Sequence, residues 1–200
     1  MGGEMEMREP RVLINELKER DLPFLLDLWR IPGVMRYADE LPIFRGWSKS
    51  DGAVTAWFKY QEKRAELGRL YTQMILRLAE GTPIGESFFA PLPEGFSLDQ
   101  WAKPEGVVCL MGDIKLRPEH WNSGLGTEGM KLMVQWLFGN TDCALLVVPP
   151  HGDNPAAVRV YEKAGFLHTE ETRSLQGHRI MELWRQRFEE AHRKENRENR

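Results

Sequence analysis

From Val12 to Leu17 apolar and polar residues alternate as in a half-buried strand, and Asp21 then opens a stretch whose Leu22, Leu25, Leu26 and Trp29 recur at helical spacing. Pro32 and Gly33 interrupt that helix ahead of V-M-R-Y, and Ser50 can cap a second helix carrying Val54, Trp57, Phe58 and Gln61. Leu70 to Leu78 and Ile84 to Phe89 form a predicted hairpin around an exposed turn at Glu80 and Gly81. The connection from Ala90 to Gly106, rich in Pro and Gly with Phe96 and Trp101 interspersed, is longer than an ordinary hairpin loop. It is either a functional lid or a surface loop with a self-packed tip.

Val107 to Leu116 has the pattern of a buried central strand and Ala144 to Val148 that of the next. The helix between them turns Leu132, Met133, Trp136 and Leu137 inward. Phe166 to Thr172 and His178 to Trp184 supply two closing strands. Arg185 to Arg200 is almost entirely charged and polar, and is expected to fray or to extend as a solvated helix. The order of elements predicts one α/β domain over residues 1–188, followed by a charged tail over 189–200.

Composition narrows the class. With 200 residues, 42% of them hydrophobic and 28% charged, the chain can bury one sizeable core, and neither repeats nor low-complexity linkers call for a second domain. A formal net charge of −3 and the lack of a Lys/Arg cluster before the tail argue against a nucleic-acid partner. The N-terminus M-G-G-E-M-E-M has no apolar signal core, Glu6 stands where a myristoylation signal wants Ser or Thr, and no apolar run is long enough to span a bilayer. A cytoplasmic protein without a membrane partner is expected. Cys109 and Cys143 lie in or beside apolar strands and look like reduced core thiols, with a nucleophilic Cys109 as the minority option. The five histidines show no ligand spacing, so no metal is predicted.

Two motifs carry chemistry. Between Trp121 and Glu128 the chain reads W-N-S-G-L-G-T-E, set between a strand-like run and an amphipathic helix. Gly124 and Gly126 let backbone approach a bulky anion, and the following helix directs unpaired N–H groups at it. A pyrophosphate fits such a turn, and a tight strand-to-helix connection is the plainer alternative. From Asn154 to Phe166 the chain reads N-P-A-A-V-R-V-Y-E-K-A-G-F, with Asn154 as N-cap, Pro155 as first helical residue and Gly165 as stop. Ala156, Ala157, Val160, Tyr161 and Ala164 fall on one face and Arg159, Glu162 and Lys163 on the other, so the Tyr161 hydroxyl must find a partner inside.

Glycine turn, helix, apolar strand and then N-x-x-A-x-x-x-Y-E-K-x-G-F together resemble the GNAT superfamily of acyl-CoA-dependent N-acetyltransferases, across roughly Arg11 to Phe188. The resemblance implies a single α/β (α+β) domain: a mixed, mostly antiparallel twisted sheet of about six to seven strands, flanked by helices and splayed at the two central strands. It implies acetyl-CoA as cosubstrate, with its pyrophosphate cradled by the backbone of Asn122, Ser123, Gly124, Leu125, Gly126 and Thr127. Trp121 stands where the family pattern R/Q-x-x-G-x-G/A begins, a substitution familiar in the ribosomal-protein N-terminal acetyltransferase branch, whereas Asn122 and Ser123 depart from the glycine and lysine common there. Asn154 corresponds to the position that reaches the pantetheine arm, although its capping role explains the residue equally well.

Tyr161 matches the tyrosine that protonates the leaving thiolate, with a buried, satisfied aromatic as the alternative; a phenol of pKa about 10 is protonated at neutral pH. Asp113 interrupts V-V-C-L-M-G-D-I-K-L and is the candidate general base, since aminoglycoside 6′-N-acetyltransferases carry an acid at a similar place; a strand-end or bulge aspartate is the alternative. Glu86 is the reserve base on the substrate side, and Trp101 can wall an acceptor pocket together with Trp47, Phe88, Phe89 and Phe96, with core packing as the alternative for these aromatics. Asp39, Glu40, Glu94, Asp99 and Glu105 can attract a cationic amine, and a solvated charged surface is the plainer account of most of them.

The expected reaction is acetyl transfer to a primary amine through a tetrahedral intermediate. V-M-R-Y, P-I-G-E and W-N-S-G-L-G-T-E resemble the branch whose acceptors are protein N-terminal α-amines, which is the first expectation. The Ala90 to Gly106 insertion, Asp113 and W-L-F-G-N resemble enzymes of small amines, namely aminoglycosides, polyamines or lysine-derived siderophore precursors. A non-catalytic acyl-CoA sensor is a further alternative, and the family admits a homodimer.

Overall fold

The hairpin expected around Glu80 and Gly81 forms, and the sheet grows outward from it. The computed structural model describes residues 10–38, 51–66, 72–91, 107–169, 174–175 and 178–198. Ser50, Trp47, Phe96, Trp101, Asp39, Glu40, Glu94, Asp99, Glu105 and most of the Ala90 to Gly106 connection lie outside the described residues.

Strands β1 (Val12–Glu16), β2 (Thr72–Leu78), β3 (Pro83–Pro91), β4 (Val107–Met111), β5 (Lys115–Leu116), β6 (Cys143–Val148), β7 (Leu167–His168) and β10 (Met181–Trp184) form one sheet. Its order is β1-β2-β3-β4-β6-β10-β7, with β5 alongside β3. The short pair β8 (Ser174–Leu175) and β9 (His178–Arg179) stands apart from it. Among the described residues all pairings are antiparallel except β4 with β6, which run parallel from Val107 opposite Cys143 to Leu110 opposite Val147. A mixed, mostly antiparallel sheet is the expected architecture, with eight strands where the resemblance implies about six to seven.

Adjacent residues of the hairpin feed opposite faces. Met74 and Phe89 join the core cluster under helices α4 (Leu125–Asn140) and α5 (Pro155–Lys163). Ile75 and Phe88 join a second cluster with Leu25, Leu28 and Trp29 of α1 (Leu22–Trp29) and Met35 of α2 (Pro32–Met35). Helix α3 (Asp51–Glu66) packs on α1. Pro32 therefore starts a short helix as well as interrupting the previous one, in keeping with its preference for the first helical position. Two inward faces differ from expectation. Leu28 rather than Leu22 or Leu26 is buried in α1, and Met130, Val134 and Phe138 are buried in α4 while Leu132 and Trp136 are half-buried.

The central strand is not continuous. From Val107 to Leu116 it breaks at residues 112–114, and the register of β5 on β3 (Glu86 opposite Lys115) is offset by one residue from that of β4 (Ala90 opposite Leu110). One extra residue is thus inserted, as in a β-bulge. Gly112 permits it. Its N–H donates to Phe88 O at 2.8 Å, and a Cβ there would lie 2.2 Å from the Phe88 ring. β4 leaves β6 after Leu110, so the two central strands part there.

The two cysteines, distant in sequence, share one buried cluster as free thiols. Hydrogen bonding to Cys143 and then burial push the Cys109 thiol far above its ordinary range, which removes it as a nucleophile. At the C-terminus, helix α6 (Arg185–Glu198) starts packed: the Arg185 guanidinium donates to the carbonyls of Phe138, Thr141 and Cys143, and the Phe188 ring lies 5.2 Å from that of Phe138. Replacing Gly112 with Ala is expected to destabilise the fold by about 1–3 kcal/mol, because the buried Phe88 ring must move to admit the methyl. Urea unfolding measures this, and an unchanged midpoint would show that Phe88 yields freely.

Candidate active site

Both motifs flank the place where β4 and β6 part. Gly124 adopts φ 84° as N-cap of α4, a conformation that an L side chain strains to reach, and Asn122 precedes it at φ 57°. Ser123 is turned away: its hydroxyl donates to His120 O at 2.6 Å and its carbonyl accepts from Arg11 at 3.3 Å. Glu128 fixes the helix to β1, accepting from the backbone N–H groups of Arg11 (2.8 Å) and Val12 (3.1 Å) and pairing with the Arg11 guanidinium. An acid in the first turn also suits the helix dipole. The first helical hydrogen bond closes from Glu128 N–H to Gly124 O at 3.1 Å, so the amides of Gly126 and Thr127 have no helical acceptor.

On the other side, Asn154 caps α5 by accepting from Ala157 N–H at 3.2 Å. A cleft of about 570 Å³ lies between the two helix starts. Asn122, Gly124, Gly126, Thr127 and Asn154 line it, whereas Ser123 and Leu125 do not; Leu125 is buried against Val12 and Leu116. Trp121 anchors the turn by donating from Nε1 to Leu116 O at 2.8 Å, and its ring reaches Gly33 of α2. Tyr37, just past α2, closes the far end by donating to Asp153 O at 2.9 Å.

At the strand break, the Tyr161 hydroxyl donates to Asp113 Oδ1 at 3.3 Å. Tyr161 is fully buried. Desolvation first, then the Asp113 charge, hold its phenol well above the ordinary tyrosine range, so it is a proton donor at neutral pH. Asp113 is half-buried on the bulge.

Glu86 sits deeper, with no exposed surface. Its carboxylate accepts from Trp29 Nε1 (3.0 Å) and Gln73 Nε2 (3.1 Å) and pairs with Lys115 Nζ (3.3 Å); Lys115 also donates to Asp113 O at 3.4 Å. With Ser87 Oγ donating to Gly112 O at 3.1 Å, two side chains of β3 and β5 hold the carbonyls of the break. Trp101 lies outside the described residues.

Arg36, His120, Arg159 and Lys163 also line the cleft, and sequence reasoning missed them. A helical wheel separates the side of α5 facing the sheet from the side facing away, and it assigns Arg159 and Lys163 to the latter. The cleft runs along the flank between the two, a direction no wheel records. For the same reason Ala156, expected on the inward face, is exposed at the cleft.

Residues 11–167, from the first strand to the start of β7, match the family model described as an acetyltransferase (GNAT) domain. The chain belongs to that family. Among solved structures, the GNAT fold of this chain is similar to that of the aminoglycoside acetyltransferase AAC(6')-Ib in complex with coenzyme A, at 23% identity and a TM-score of 0.71 over 90% of this chain and 98% of that one. Spermidine N-acetyltransferase from Vibrio cholerae, in complex with CoA and spermine, is 17% identical with a TM-score of 0.65 over 89% and 98%. A nucleotide-linked sugar GNAT is 15% identical with a TM-score of 0.67 over 94% of each chain. Placement in the ribosomal-protein branch gains no support from these likenesses. Among the described residues, no helix is long and apolar enough to cross a membrane, and no group of three or more His, Cys, Asp and Glu can hold a metal ion.

Two predictions follow from the buried polar groups. Lys115→Met strands the Glu86 charge and is expected to cost about 3–5 kcal/mol, most of it regained in the double variant with Glu86→Gln; denaturant midpoints of both test this. The raised Tyr161 pKa contributes stability that is complete below pH about 10 and is lost as pH rises through the folded value. Tyr161→Phe should therefore lessen the fall in melting temperature above pH about 10, and an identical fall in both proteins would show that other groups cause it.

Proposed function

We propose that this GNAT domain transfers the acetyl group of acetyl-CoA to a primary amine of a small polycationic acceptor, an aminoglycoside or a polyamine. The contact between Tyr161 and Asp113 carries the proposal, since it joins a protonated phenol to a carboxylate at the strand break.

The residues around the cleft fit the donor. Gly126 and Thr127 offer backbone N–H groups at a helix start, and Gly124 leaves room for phosphate oxygens. Asn154 spends Oδ1 on capping, which leaves its Nδ2 to donate to an amide carbonyl of the pantetheine arm. When bound, acetyl-CoA supplies the thioester that the amine attacks. Asp113 accepts the proton that the amine nitrogen loses, and Tyr161 gives its proton to the departing sulfur. Asp113 then returns the first proton to Tyr161 across their hydrogen bond, so both side chains end as they began.

The order of these transfers follows from electrostatics. The Asp113 charge is one of the causes that hold the phenol pKa up. Once Asp113 is protonated that influence is gone, so the base step makes Tyr161 a stronger acid when the thiolate leaves. A carboxylate at the reacting centre also favours a cationic acceptor. The fold likeness to aminoglycoside and spermidine acetyltransferases supports small amines over protein N-termini. The protein α-amine remains the second reading, on the strength of V-M-R-Y, P-I-G-E and W-N-S-G-L-G-T-E.

Thiol release from acetyl-CoA is the test. Release is expected with aminoglycosides or spermidine and not with N-terminal peptides. Release with peptides alone would establish the second reading, and coenzyme A binding without release to any of these amines would point to an acceptor outside this set or to a sensor. Tyr161→Phe and Asp113→Asn should each lower kcat by about 10²-fold or more while leaving coenzyme A affinity nearly unchanged, and the double variant should fall little further because the two act as one unit. Strict additivity of the two losses would separate their roles.

A further inference from the structure

The cleft lining holds Arg36, Lys115, His120, Arg159 and Lys163 but no Asp or Glu, in a chain whose formal net charge is −3. The four Lys and Arg side chains among them are not equivalent. Lys115 is committed to Glu86, and Arg36 lies over the Tyr37 ring at 5.3 Å. Arg159 and Lys163 are exposed, and neither has an ion pair or hydrogen bond among the described residues. Glu162, which stands between them in sequence, pairs with His168 at 3.2 Å.

Spaced four residues apart on α5, the two like charges are neighbours on one flank of the helix, an arrangement that weakens an isolated helix. The helix dipole accounts for Lys163, in the last turn, but not for Arg159 in the middle of a nine-residue helix. Two adjacent unpaired cations in an acid-free cleft match a doubly charged phosphomonoester. A guanidinium can grip two of its oxygens and an ammonium can add a point charge. The amides of Gly126 and Thr127 already serve a pyrophosphate at the opposite helix start, so the third phosphate of coenzyme A, on the ribose 3′ oxygen, is the group left to satisfy them.

We propose that Arg159 and Lys163 bind the 3′-phosphate of the acyl-CoA donor, so that the enzyme selects acetyl-CoA over acetyl-dephospho-CoA. This rests on the reading of the cleft as the acyl-CoA site. Arg159 and Lys163 set donor specificity, and Tyr161 and Asp113 carry the chemistry.

The test compares kcat/KM for acetyl-CoA and acetyl-dephospho-CoA in the wild type, in the Arg159→Gln/Lys163→Gln double variant, and in Lys131→Gln as a control. Lys131 is an exposed cation of α4 that does not line the cleft. A wild-type preference of about tenfold for acetyl-CoA is expected from two partly exposed charge contacts, falling toward one in the double variant through loss with acetyl-CoA alone. The control should keep the wild-type preference. Raising the salt concentration should shrink the preference in the wild type and leave the double variant little changed.

Equal use of both donors by the wild type, or an equal loss with both in the double variant, would overturn the proposal while leaving the acyl-CoA site in place. Failure of the wild type to bind either donor by calorimetry would overturn the underlying reading as well, and the two failures are told apart by that binding heat.

Discussion

One extra residue in the central strand is the constraint on which the site depends. Were β4 and β5 continuous, the segment from Gly112 to Ile114 could pair on both sides, and its peptide groups would be spent on the sheet. The bulge detaches β5 from β6 while leaving it on β3, which opens the sheet at the parallel pairing of β4 with β6. An opening of this kind exposes backbone polar groups, and each needs a partner. Ser87 and Lys115 supply partners to the carbonyls of Gly112 and Asp113, and Phe88 supplies one to the Gly112 amide. The break is therefore a built feature of β3 and β5.

The ion pair beneath it ties the two sides of the molecule together. Glu86 and Lys115 are almost wholly removed from water, and desolvating two charges offsets much or all of their attraction, so the pair is a poor source of stability. Its value is positional. Trp29 donates to the same carboxylate from α1, and Gln73 does so from β2, so helix layer, sheet and strand break meet at one group. Trp29, Glu86, Lys115 and the Asp113 carbonyl thus form one chain of polar contacts from α1 to the bulge. Glu86, paired with Lys115 and hydrogen-bonded to Trp29 and Gln73, holds the bulge, and the proposed base, Asp113, lies half-buried on it.

What could be read from the sequence was what local chemistry decides. The α5 helix begins at Asn154 and Pro155 and ends before Gly165, and the hairpin turns at Gly81, because capping and turn preferences act within a few residues. The bulge was legible only as an ambiguity: Gly112 and Asp113 in an apolar run signal either a strand end or an interruption, and the offset in register is set by β3, some twenty-five residues earlier. The inward face of α4 slipped from Leu132 and Trp136 toward Met130 and Val134 because that helix packs along both the three- and four-residue rows of its surface. The cations of the cleft were not legible at all, since their placement depends on how α5 lies against α2 and the glycine turn. Trp101 and the other residues expected to wall the acceptor pocket lie outside the described residues, and Phe88 and Phe89, on adjoining positions of β3, are spent on the two cores.

The charges of the site divide by position, and the division has a consequence for the order of events. Cations line the cleft between the helix starts, while the carboxylate of Asp113 stands at the strand break where β4 and β6 part. On the proposed reading, a polyanionic donor is drawn to the cationic cleft and a cationic acceptor to the Asp113 carboxylate, so neither competes for the groups of the other. An acceptor arriving first would find Asp113 charged and Tyr161 held as a weak acid by burial and by that charge. In the proposed mechanism Tyr161 becomes a stronger acid only when the amine proton has moved to Asp113, which requires a thioester carbon already in place to take the nitrogen lone pair. On that reading the hydrogen bond between Tyr161 and Asp113 keeps the phenol proton in reserve until both substrates are present.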